Sequence, residues 1–168
     1  ITGVSLNDLN CFSVDISQIT GTGRLFRIIV SNGIDGEMLS RLFNPATLQF
    51  SGSATRSGSW SATGFRDGFI VNPDGSITLF LVGSSTAGNN PEIRLVLTDA
   101  AGSATYAGST GVTVKIEHFQ VQANTLPTSR ITTTTGIASR SADQIRLTGA
   151  SARIGQTQGV VRCEVNLR

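Results

Sequence analysis

The chain has 168 residues, long enough for one domain with a sizeable hydrophobic core. Apolar residues make up 39% and charged residues only 14%, with 19 Gly and abundant Ser and Thr, which excludes a helical bundle and a highly charged disordered chain and points to a turn-rich β protein. A net charge of +2, with the basic residues scattered singly, gives no support to nucleic-acid binding, and no apolar run approaches the length that inserts into a membrane.

In chain order, alternation with a period of two dominates. Phe12, Val14 and Ile16 face one way in the first strand, and Gly21-Thr22-Gly23 turns the chain into an apolar run over 25–30. A strand pair is predicted over 38–43 and 48–50, joined through Asn44-Pro45, and 51–64 reads as a loop or a weak edge. "GFIVNPDGSITLFLV" is a hairpin: Pro73 presets the turn and Gly75 takes the left-handed position that follows. After a loop over 83–91, Ile93, Leu95 and Leu97 alternate in another strand, and 99–111 is a small-residue loop.

The segment 112–121 is the longest strand candidate, and its apolar phase changes from Val112, Val114 and Ile116 to Phe119 and Val121. A β-bulge near Glu117 and His118 explains this; burial of His118 and Gln120 in hydrogen bonds is the alternative. A last strand is predicted over 160–167. Eight to ten short strands with Gly-rich turns give an all-β sandwich or barrel. Cys11 shares a face with Ser13, Asp15 and Ser17, whereas Cys163 shares one with Val161, Val165 and Leu167, so two free thiols are expected.

Residues 111–143 carry a resemblance. Gln120 and Gln122 end a strand, Ser129-Arg130-Ile131-Thr132-Thr133 follows, and Ala138-Ser139-Arg140-Ser141-Ala142-Asp143 closes the segment. This order is similar to that of the carbohydrate-binding-module-like jelly-roll domains of phage tail fibres, tailspikes and head spike fibres. Looser likenesses, in "NCFSVDI", "LFNPATLQFSG", "NPDGSITLFLV" and "YAGSTGVTV", extend it over roughly residues 11–143. The resemblance implies a jelly-roll-type antiparallel β-sandwich core over 1–127. Residues 128–168 would form an extended strap and C-terminal strand, packing on the sandwich or leading to a further fibre domain. It also implies a place on the surface of a virion or phage-like particle, host surface polysaccharide as ligand, and other fibre or spike subunits as partners, with a homotrimer common in such proteins. Several aromatics of the family pattern are replaced here: Glu117, Ile77-Thr78 and Arg130 stand where relatives have Trp or Tyr.

Sugars are bound by aromatic faces under C–H patches, with amides, carboxylates and Arg around the hydroxyls. Trp60 in "SGSWSATG" is an exposed platform or else a plug at one end of the sandwich, and Tyr106 in its loop presents the same two choices. Arg66 and Asp67 form a sugar-binding polar pair or a solvated turn, and Glu92 and Arg94 an outward pair that keeps a sheet face soluble. Glu117 and His118 are the most unusual polar pair in the chain. Asp35-Gly36-Glu37 could offer carboxylates to Ca2+, but no acidic run or EF-like loop accompanies them, so no cofactor is expected. With one His, no nucleophile elbow and no phosphate-cradling loop, the parts for catalysis are missing and a binding or structural role is expected. The run Thr132–Thr135 lies in the stretch 125–147, where Leu126, Ile131, Ile137, Ile145 and Leu147 recur as single anchors of an extended chain.

Overall fold

The structure, a computed structural model, describes residues 5–88, 90–105 and 112–128. Eight strands occur in it: β1 (Asn10–Thr20), β2 (Leu25–Ser31), β3 (Met38–Asn44), β4 (Gln49–Arg56), β5 (Arg66–Val71), β6 (Ile77–Gly83), β7 (Glu92–Thr98) and β8 (Thr113–Gln122). They form two antiparallel four-stranded sheets, ordered β5-β6-β1-β8 and β4-β3-β2-β7, packed together as the expected β-sandwich. In the second sheet three consecutive strands, β2 to β4, are followed by a return of β7 to the free side of β2, the spatial order of a Greek key.

The alternation in the sequence sets the core. Phe12, Val14 and Ile16 of β1 are fully buried against Phe26, Ile28 and Val30 of β2, with Leu79 and Leu81 of β6 and Leu39 and Phe43 of β3. The β5–β6 hairpin turns as its Pro-Asp-Gly run requires: Gly75 has φ +81°, and its N–H donates to the Asn72 carbonyl at 2.9 Å. Residues 51–56, read from the sequence as the start of a loop or weak edge, continue the strand expected at 48–50 and with it make the edge strand β4.

The phase change in β8 is a bulge. Asp15 of β1 lies opposite His118 and Ile16 opposite Ile116, so Glu117 is the extra residue. The bulge lets Ile116 and Phe119, three apart, both lie on the side of β8 that carries the inward residues Ile16 and Val14 of β1. It also puts His118, Gln120 and Gln122 opposite Asp15, Ser13 and Cys11 on the outer face. That face is more buried than a polar face should be: Cys11, Phe80 and Val82 form a second apolar cluster there, flanked by Leu9 and Ile70. Cys11 is a free thiol, pushed up to about 12 by burial while the Gln122 amide pulls weakly the other way, so it is inert at neutral pH.

The two long sides of the sandwich differ. On the β4/β5 side, Phe43, Phe50 and Phe69 stack at 5.3 to 6.3 Å between centroids, and Arg41 of β3 forms an ion pair with Asp67 of β5 across the two sheets. On the β7/β8 side Ile116 and Phe119 remain 43% and 39% exposed. Tyr106, Cys163, the strand over 160–167 and the strap beyond Thr128 lie outside the described residues.

Candidate functional site

At the end of β2 the chain enters the segment "SNGIDGE", and Asn32 is fully buried there. Its Nδ2 faces Glu37 Oε2 at 2.7 Å, Ser59 Oγ at 2.9 Å, Ser85 Oγ at 3.0 Å and the Ala87 carbonyl at 3.1 Å, so two amide hydrogens are shared among four acceptors. Its Oδ1 accepts from the Ile34 N–H at 3.1 Å. One side chain thus fastens the β2–β3 loop to the segment before Trp60 and to the loop after β6. The packing is close enough that Gly88, at φ +76°, has no room for a Cβ against the Asn32 carbonyl.

Glu37 completes this hub. Hydrogen bonds from the Ser59 hydroxyl, the Ser59 N–H and the Asn32 amide hold its carboxyl below the usual carboxylate range. A carboxyl whose folded value is depressed contributes stability that is present above its unfolded value, about 4.3, and is lost as the pH falls through the folded one. Glu37→Gln should therefore flatten the acid limb of stability against pH, read as urea midpoints over a pH series; an unchanged limb would show that Glu37 does not drive it.

The hub places a groove beside β7. Two notches, of about 420 and 450 Å3, share Gly33 and Glu92 in their walls and so adjoin each other as a shallow groove. Phe119 and Asn90 line the first; Ile34, Asp35 and Arg94 line the second. Ile34 and Phe119 are each 39% exposed, giving two apolar contact points. Glu92 and Arg94 are exposed and 3.5 Å apart, a loose surface pair that a ligand can separate at little cost. An exposed ring, an amide, three carboxylates and a guanidinium in adjoining notches are the groups that hold a sugar, the ring under C–H faces and the polar groups around hydroxyls.

No family model, curated protein or solved structure matches the chain. The groove's meaning therefore rests on its chemistry.

The residues expected to bind sugar do not gather. Trp60 is 6% exposed, packed edge-on against Phe12 at 5.9 Å, so the platform reading gives way to the plug: the preceding Ser59 belongs to the hub, and the indole drops into the core. Arg66 and Asp67 point to opposite faces of β5, and Asp67 is held by Arg41. Glu117 accepts from Ser17 Oγ at 2.5 Å, pairs with Lys115 at 3.0 Å and lines a separate polar notch against the β5–β6 turn. His118 is half-buried opposite Asp15, away from the groove, and its Nε2 has no hydrogen-bond partner among the described residues. Tyr106 lies outside the described residues. Asp35 and Glu37 of Asp35-Gly36-Glu37 both line the second notch, Glu37 with N–H and O–H donors from the hub, and among the described residues no three His, Cys, Asp or Glu come together as metal ligands.

Sequence reading missed Phe119, Asn90 and Ile34 as site residues. The phase change at Glu117–His118 was the signal for Phe119, since a bulge at an edge re-aims the side chains beside it. Asn90 and Ile34 sit in loops whose mutual approach depends on Asn32, a contact no local pattern announces.

Proposed function

We propose that the chain is a carbohydrate-binding adhesion module of a phage or phage-like fibre or spike, exposed on the particle surface and recognising host cell-surface polysaccharide. The observation that supports this reading is the groove along β7, where exposed Phe119 and Ile34 stand beside Asn90, Glu92 and Arg94. The jelly-roll form belongs to the same proposal and rests on β1 pairing with β8 and β2 with β7, early strands meeting late ones. The groove is shallow, so each contact is weak, and several copies on one particle would raise avidity without new contacts. On a host-glycan array, Phe119→Ala should weaken binding about tenfold, the loss of one stacked ring, with the urea midpoint nearly unchanged because that ring is already partly in water. Equal binding by wild type and variant would remove the groove from the site.

A second reading has its own support. Trp60 is spent on the core, and Ile116 and Leu126, 43% and 49% exposed, lie outside the groove lining. Exposed apolar side chains of this kind suit contacts between subunits, as in a structural or decoration module with no ligand of its own. Silence across the host-glycan array favours this reading.

A further inference from the structure

The charges along the groove bear on which glycans it takes, an inference that rests on the adhesion reading. Asp35, Glu37 and Glu92 line it, against Arg94 alone, three carboxylates to one guanidinium. Arg94 already leans on Glu92, and Glu37 is held in its ionised form by the donors of the hub. An acidic sugar laid on Phe119 would bring its carboxylate toward Glu92, and toward Asp35 further along. The chain as a whole carries +2, so unspecific attraction would favour acidic polymers; the groove has the opposite sign to the molecule.

We infer that the groove selects neutral and amine-bearing glycans and rejects acidic ones. Rejection is written into the lining carboxylates, because a like-charge contact penalises the wrong ligand where favourable contacts alone would accept both. Asp35 and Glu92 act here as specificity residues, with Phe119 and Asn90 giving the contact common to all ligands.

The test sorts the hits on a host-glycan array into acidic, neutral and amine-bearing classes, counting only signals lost in Phe119→Ala as binding by the groove. The expected result is that these hits are neutral or amine-bearing. The double variant Asp35→Asn with Glu92→Gln, which alters only surface groups, should gain about fivefold toward acidic glycans and lose about as much toward amine-bearing ones. Groove hits that are mainly acidic, or a double variant with unchanged ranking, would overturn this inference and leave the adhesion reading standing. An array with no signal dependent on Phe119 overturns both.

Discussion

Asn32→Asp should destabilise the fold by about 3 kcal/mol, far more than its near-identical shape suggests. The amide is fully buried, and the substitution turns its donor into an acceptor facing four acceptors. Two carboxylates would then meet where Nδ2 and Glu37 Oε2 are now 2.7 Å apart, and one must take up a proton. Urea unfolding read by Trp60 fluorescence suits the measurement, since Ser59 of the hub precedes the indole in sequence. Adding Glu37→Gln should recover part of the loss by supplying a donor and removing a charge. A single variant within about 0.5 kcal/mol of wild type would show that the hub is not a stabilising network.

The next largest effect is expected at Phe43→Ala, a loss of about 4 kcal/mol. Phe43 is fully buried and meets Phe50 and Phe69 at 5.4 and 5.3 Å, joining the two sheets on the β4/β5 side. The hole would lie between edge strands of different sheets, where little can collapse to fill it. Urea curves should shift in midpoint with an unchanged slope, since the surface exposed on unfolding is nearly the same. Phe119→Ala, at the opposite side, should cost under about 1 kcal/mol; similar losses at the two positions would contradict the difference between a sealed and an open side.

The fold was largely legible because one face of most strands is apolar with period two, as in Phe12-Val14-Ile16, and because Pro73 and Gly75 permit one turn. Even the bulge at Glu117 could be read, as two apolar phases joined in one strand. The site was not legible, for a physical reason. Aromatic residues were weighed by their neighbours in sequence, and the polar neighbours of Trp60 suggested exposure. One of those neighbours, Ser59, is instead a half-buried member of the network around Asn32, a three-dimensional arrangement with no periodic trace. Arg66 and Asp67 failed as a pair because adjacent residues in a strand point to opposite faces.

The bulge at Glu117 bears on solubility as well as on aim. Among the described residues β8 closes its sheet as an edge, with Ile116 and Phe119 partly exposed, a pattern that invites a strand from another molecule to add on. The extra residue breaks the even spacing that such a strand would have to match, and it places a carboxylate beside Lys115 at the break. An apolar edge that is bent and charged at its middle resists the fusion of two copies into a continuous sheet.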